Sequence, residues 1–312
     1  MLALLFPGQG SQEVGMGRDV YETSPAARAV FDAADRVLGF GLSALCFEGP
    51  EAELRRTEIQ QPAILATSVA LLRALEERTP LAPLCVAGHS LGEYTALVAS
   101  GALALESAVT LVHARGRFMQ EAVPEGRGAM AAVLGAEAEA VAESCAVAAR
   151  ETGLVVEPAN WNSPLQTVIA GDAAAVERAC AEAKQRGAKK TVSLAVSAPF
   201  HCALMAPAAE KLEAELAGVR FAAPRVPVVT NVEAAPNADA ARIPELLRRQ
   251  VTAPVRFTES VRRIAALGAQ RVLEIGPGRV LCGLVARIER GLARANLSCA
   301  AEIEAAAAFA RS

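Results

Sequence analysis

The sequence contains no C-x-x-C pair, and its seven cysteines (46, 85, 145, 180, 202, 282 and 299) are odd in number and scattered. Such spacing offers neither a zinc site nor a disulfide framework. Most of them lie in apolar segments, as small core residues of a reducing compartment do. Lysine and arginine form no tract with interleaved aromatics, and the net charge is −3, so nucleic acid is not the expected partner. No uncharged run approaches the ~18 residues of a membrane span. The apolar start of the chain, residues 1–6, has no basic flank and is cut short by Pro7-Gly8, so it does not read as a signal peptide. The expectation is a cytoplasmic protein without a membrane segment. Internal repeats and low-complexity linkers are also missing.

What is present is globular. The 312 residues are 53% hydrophobic and 21% charged, enough for one large domain or two unequal ones. The most informative stretch is Pro83-Leu84-Cys85-Val86-Ala87-Gly88-His89-Ser90-Leu91-Gly92-Glu93. A strand over 82–87 ends in G-x-S-x-G, and a helix over 91–100 follows, the context in which this pattern forms a nucleophile elbow. Gly88 and Gly92 lack a Cβ and allow the tight bend. Ser90 then sits at a helix N-terminus, where free N–H groups and the helix dipole favour an oxyanion.

Upstream, residues 2–6 read as a buried strand entering the loop Pro7-Gly8-Gln9-Gly10-Ser11-Gln12. G-x-G-x-x-G fails because position 13 is Glu, and a P-loop fails because no Lys-Ser/Thr follows. The loop either presents N–H groups to an anion or is an ordinary strand-to-helix turn. Helical patterns follow over 25–38 and 59–78, the second apolar on nearly all sides and therefore buried. Units of strand, loop and helix in this order give an α/β domain with a mainly parallel sheet. A helix over 105–123 carries an apolar stripe (Ala108, Leu111, Val112, Phe118, Met119, Ala122) with Arg115 in its middle. Arg117 and His113 lie on the polar face. An inward guanidinium needs compensation: either a structural salt bridge with a buried carboxylate, or the carboxylate of a substrate, which its rigid fork fits.

From Gly126 the texture changes. Strands over 128–134, 154–157, 166–170 and 191–196, with helices over 136–150 and 172–186, give the order βαββαβ of a ferredoxin-like unit. Asn160-Trp161-Asn162-Ser163-Pro164 separates its second and third strands. We therefore expect a small inserted domain at 127–195 within a main catalytic domain of residues 1–126 and 196–312. His201, on an exposed loop after Pro199 and before a helix over 204–217, is the natural general base among three histidines. On its own a loop histidine reads as structural; a candidate nucleophile elsewhere reverses that. Strands over 226–230 and 272–275, a short helix over 246–250 within Pro- and Ala-rich loops, and a helix from Val280 complete the pattern. The Ala-rich last dozen residues read as a helix or frayed tail.

In order and spacing, Phe6-Pro7-Gly8-Gln9-Gly10-Ser11-Gln12, Gly88-His89-Ser90-Leu91-Gly92-Glu93, Arg115-Gly116-Arg117-Phe118-Met119-Gln120, Asn160-Trp161-Asn162-Ser163-Pro164, Ala198-Pro199-Phe200-His201 and Gly276-Pro277-Gly278 resemble the malonyl-CoA:acyl carrier protein transacylase family over essentially the whole chain. The resemblance implies an α/β-hydrolase-like main domain with the ferredoxin-like insert. It implies ping-pong transfer of malonyl from malonyl-CoA, through O-malonyl-Ser90, to the phosphopantetheine thiol of holo-acyl carrier protein. His201 would take the Ser90 proton, oriented by the backbone carbonyl of Gln250 in place of a triad acid. Gln9 and Leu91 would supply the oxyanion N–H groups and Arg115 would pair with the malonyl carboxylate. Phe200, Asn160 and Asn162 would border the substrate, Phe200 favouring malonyl over methylmalonyl. No metal or cofactor is implied, and nothing demands more than a monomer.

Carrier proteins are acidic, so a basic docking surface is expected. The candidates are Lys184, Arg186, Lys189 and Lys190, with Arg287 and Arg290 near the chain end; a solvated surface explains them equally well. Two other functions compete. A serine hydrolase would use the same elbow but usually places an Asp or Glu between serine and histidine and has no need of Arg115. A non-catalytic carrier-binding module would have lost the serine, the histidine or the oxyanion loop, and all three are intact. Fatty acid and polyketide pathways use the same site and are not separated.

Overall fold

The computed structural model describes residues 1–124, 126–196 and 198–312; Glu125 and Ser197, which fall in the expected domain ranges, lie outside the described residues. Among the described residues ten strands make two sheets. The first, ordered β10-β9-β1-β2-β7-β8, joins β1 (Leu2–Phe6), β2 (Cys85–Gly88), β7 (Val228–Val229), β8 (Pro236–Asn237), β9 (Arg271–Ile275) and β10 (Ala293–Leu297). All its pairs are parallel except β7 with β8. Every residue of β1 is buried, as a central strand covered on both faces should be. The helix Thr57–Glu76 packs on this sheet with both its faces buried, which matches its all-round apolar sequence.

The second sheet has the order β4-β5-β3-β6, formed by β3 (Gly128–Leu134), β4 (Val156–Ser163), β5 (Gln166–Asp172) and β6 (Lys190–Ser193), all antiparallel. Helices Ala138–Thr152 and Ala173–Gln185 complete βαββαβ and pack on it over their own apolar cluster. The expected α/β class, a mainly parallel sheet plus a ferredoxin-like unit, is therefore present.

Several local expectations change. Asn160-Trp161-Asn162-Ser163 is not a separating loop but the second half of β4, and only Pro164-Leu165 turns. Register shifts break the ladder between Pro158 and Asn160 and between Trp161 and Ser163. The freed backbone pairs instead with Val255: Trp161 N donates to its carbonyl at 2.9 Å and Val255 N donates to Ala159 O at 2.9 Å. These bonds tie the second sheet to the segment that leads into the helix Phe257–Ala266, beside the site. The Pro-rich stretch before Gln250 holds a helix, Ile243–Thr252, longer than expected; Pro244 sits in its first turn, where no N–H is needed. β6 ends at Ser193, three residues early. β8, β10 and the helix Phe257–Ala266 were not anticipated from the sequence. Among the described residues no helix is long and apolar enough to cross a membrane.

Register places the site. Phe6 pairs with Gly88 at the carboxyl ends of adjacent parallel strands, so the loops after β1 and β2 emerge side by side. The helix Gly92–Ala99 can then pack against β1 only because position 92 is glycine. A Cβ there would lie 2.1 Å from the carbonyl oxygen of Phe6.

Candidate active site

Ser90 and His201 share an unusual backbone: both are non-glycine residues in the left-handed region, at φ 51° and φ 62°. Such residues cost roughly 1–2 kcal/mol each and persist only where the surroundings over-determine them. At Ser90 the fixing group is Asn231. Its Oδ1 accepts the Ser90 N–H at 2.7 Å while its Nδ2 donates to Gly88 O at 2.7 Å, bracketing the bend. The result is a Ser90 Oγ to His201 Nε2 separation of 2.7 Å. On the other side of the ring, His201 Nδ1 donates to the carbonyl oxygen of Gln250 at 2.8 Å. That bond sets the tautomer, with the proton on Nδ1 and the Nε2 lone pair facing Ser90. Among the described residues no acid stands behind the histidine; the carbonyl expected at Gln250 does.

His201 is not exposed, contrary to expectation: only 4% of its surface is accessible, because it faces the cleft lined by Ser90, Arg115, Met130 and Asn160. Burial, and next the Arg115 charge, push its pKa down to about 3. It is neutral at neutral pH and free to accept a proton.

Arg115 is 1% exposed and makes only neutral hydrogen bonds: Nη1 to Gln61 Oε1 at 2.7 Å, Nη2 to Ser90 Oγ at 3.1 Å and Nη2 to Gln250 Oε1 at 3.0 Å. Its carbon lies 5.5 Å from the centre of the Tyr94 ring. Among the described residues no carboxylate comes within ion-pair distance of it, so the structural salt bridge weighed from sequence is not made. Among the described residues its Nε has no hydrogen-bond partner. A buried guanidinium with spare donors, touching the serine oxygen, can receive a carboxylate.

The remaining predicted residues divide. Gln9, Asn160 and Phe200 line, with Ser90, Arg115 and His201, a cleft of about 120 Å³. This is room for ~4 waters, so a small acyl group. Among the described residues the backbone N–H groups of Gln9 and Leu91 make no hydrogen bond, and Leu91 stands at the start of the helix Gly92–Ala99. Both are thus available to an oxyanion. Asn162 stands behind the cleft, its Oδ1 2.8 Å from His89 Nε2. His89 itself lines the cleft and is held there by this contact, whereas the base on Ser90 Oγ is His201. Lys189 and Lys190 are exposed where β6 begins and are not brought to the cleft. His113 is half-buried, with Nδ1 on Glu58 O at 2.8 Å.

Three participants escaped the sequence reading. Gln61 and Asn231 gave no local signal; Asn231 lies 141 positions from Ser90. Glu93 did give one, being the only charged residue of the helix Gly92–Ala99. It is 2% exposed and accepts Asn231 N at 3.0 Å and Gln250 Nε2 at 2.7 Å, both on Oε2. Burial raises its pKa to about 7. Among the described residues no group of three or more His, Cys, Asp or Glu is placed to hold a metal ion.

The chain matches the acyl transferase domain family over residues 3–307. It is 49% identical over 304 residues to the malonyl CoA-acyl carrier protein transacylase of Salmonella typhimurium, covering 97% of this chain and 98% of that one. It is 50% identical over 291 residues to the Bacillus subtilis protein of the same name, covering 93% and 91%. Among solved structures, a malonyl-transacylase in complex with its type II PKS acyl-carrier protein superposes with a TM-score of 0.95 at 47% identity, covering 98% and 99%. An acyl carrier protein S-malonyltransferase from Vibrio cholerae does so with a TM-score of 0.95 at 46% identity, covering 97% and 99%.

Proposed function

Because the chain belongs to the acyl transferase domain family, we propose that it transfers the malonyl group of malonyl-CoA to the phosphopantetheine thiol of a holo-acyl carrier protein. The observation that carries the choice of acyl group is Arg115, a buried cation with neutral partners only, 3.1 Å from the Ser90 oxygen. A neutral acyl chain would leave it uncompensated. A terminal carboxylate two bonds from the reacting carbonyl would not.

The chemistry follows from the geometry. Ser90 Oγ attacks the thioester carbonyl carbon while its proton passes to His201 Nε2. The N–H groups of Gln9 and Leu91 receive the developing oxyanion. The C–S bond breaks, and the CoA sulfur takes the proton from His201 and leaves as the thiol, with malonyl esterified on Ser90. In the second half the carrier thiol gives its proton to Nε2, its sulfur attacks the ester carbonyl, and Ser90 Oγ leaves with that proton. Asn160 and Phe200 border the acyl group, and Asn162 fixes His89, which also lines the cleft. The substrate also tunes the base. Arg115 is the charge that depresses His201, so a bound carboxylate that neutralises it makes His201 more basic when acylation needs it.

A hydrolase would share this nucleophile. What separates the two is a carboxylate receptor inside the pocket and the absence, among the described residues, of an acid behind His201. We further read the enzyme as a cytoplasmic monomer with an inserted unit at 127–195; supporting this are seven free cysteines and a second sheet with its own apolar cluster. The test is peptide mass spectrometry after brief incubation with malonyl-CoA. A malonyl adduct on the Ser90 peptide that disappears as holo-carrier protein gains malonyl is expected; an adduct that decays equally fast without carrier would mean a hydrolase.

A further inference from the structure

Among the described residues Glu93 is the one buried carboxylate in contact with this site, and the reaction as written makes no use of it. Its neighbours explain its place. The Gln250 side-chain amide lies between Glu93 and Arg115: Nε2 donates to Glu93 Oε2 at 2.7 Å and Oε1 accepts from Arg115 Nη2 at 3.0 Å. An amide can be turned end for end, and the two ends make opposite demands. Reversed, it would set its NH2 against a guanidinium and its oxygen against a carboxylate. Nε2 also reaches Ser90 O at 3.1 Å, but the Glu93 contact is the shortest that it makes. The same residue gives its backbone carbonyl to His201 Nδ1.

We infer that Glu93 is a positioning residue for acyl selection: by holding the Gln250 amide in one orientation, it presents Oε1 to Arg115 and sets the guanidinium for a substrate carboxylate. The spacer has a consequence. A direct Glu–Arg pair would occupy the fork, whereas an amide between them uses a single Nη2 hydrogen; with Gln61 and Ser90 on two others, the Nε hydrogen and one Nη1 hydrogen remain for a carboxylate. Glu93 also holds Asn231, whose side chain brackets Ser90, so its loss affects loading of every acyl group. The effect through Gln250 is confined to acyl groups that carry a carboxylate.

This inference rests on the transfer reading above, and the experiment separates the two. Ser90 loading is measured by mass spectrometry with malonyl-CoA and with acetyl-CoA in the intact protein, Glu93→Ala, Gln250→Ala and the double variant, and the malonyl-to-acetyl ratio is compared. The ratio is insensitive to the fraction of protein that is folded. Glu93→Ala is expected to lower it about tenfold, the scale of one buried hydrogen bond to a charged group. In the Gln250→Ala background the same change should leave the ratio where it is, because coupled residues are not additive. Glu93→Gln, which keeps an acceptor oxygen for both donors, should recover most of the lost ratio. An equal fall in malonyl and acetyl loading, or an undiminished effect of Glu93→Ala without the Gln250 side chain, would overturn the inference while leaving transfer intact. No Ser90 adduct in the unaltered protein would overturn transfer and this inference with it.

Discussion

At the scale of the residue, the site works by keeping charges where the fold alone would not tolerate them. His201 stays neutral because burial and Arg115 oppose its protonation, to a pKa of about 3. In Glu93→Gln, which removes a buried carboxylate that titrates near neutrality, the rate of malonyl loading, followed as kcat/KM, should therefore show no acid-side inflection near the ordinary histidine value of ~6.5 and stay level to about pH 5. Arg115→Ala should lower malonyl loading about a hundredfold or more, as loss of a bidentate charged contact of ~3 kcal/mol or more predicts, and spare acetyl loading. Equal losses for both donors would make Arg115 structural. Ser90, His201 and Arg115 were legible in the sequence because each breaks a local rule: a serine in a glycine-flanked bend, a histidine after a proline turn, an arginine in an apolar stripe. Glu93 broke the same rule in the elbow helix and was passed over. Asn231 and Gln61 broke none; their meaning exists only after folding.

At the scale of the element, the devices are close approach and capping. The helix after the elbow touches β1 through Gly92, where an added Cβ would meet Phe6 O at 2.1 Å. Gly92→Ala should cost about 2 kcal/mol or more, as overpacking does, and should reduce Ser90 loading more than its loss of folded protein explains, since it displaces the Leu91 N–H. Glu274 at the end of β9 caps the helix Val280–Ile288: its oxygens accept Leu281 N at 3.0 Å and Cys282 N at 2.7 Å. Glu274→Ala should lower stability by ~2–3 kcal/mol in denaturant titration, leaving one buried and one part-buried donor unpaired. Long or apolar elements were readable from sequence. β10, half-exposed and at a sheet edge, was not, nor was the far half of β4. There the bulges and the bridge to Val255 let polar residues occupy a strand that their composition describes as a turn.

At the scale of the whole molecule, two buried groups pull stability in opposite directions with pH. The pKa of His201 falls on folding, from 6.5 to about 3, so its contribution is present above 6.5 and is lost as pH falls toward 3. The pKa of Glu93 rises, from 4.5 to about 7, so its contribution is present below 4.5 and is lost as pH rises through 7. Between these values the two offset. Removing the second with Glu93→Gln should make the melting temperature of the variant, relative to the unaltered protein, climb steadily from pH 5 to pH 7. A constant difference would contradict the assignment. Docking is also a property of the whole surface. Reversing the charge of Lys189 and Lys190, exposed at the start of β6, should raise the KM for carrier protein and leave that for malonyl-CoA alone.

Malonyl transfer through Ser90 is the central claim, and the most direct measurement is the mass of the Ser90 peptide after incubation with malonyl-CoA, before and after adding holo-acyl carrier protein. The account predicts a malonyl ester on Ser90 that is stable alone and moves to the carrier's phosphopantetheine thiol. A protein that never carries malonyl on Ser90, yet still malonylates the carrier, would contradict it.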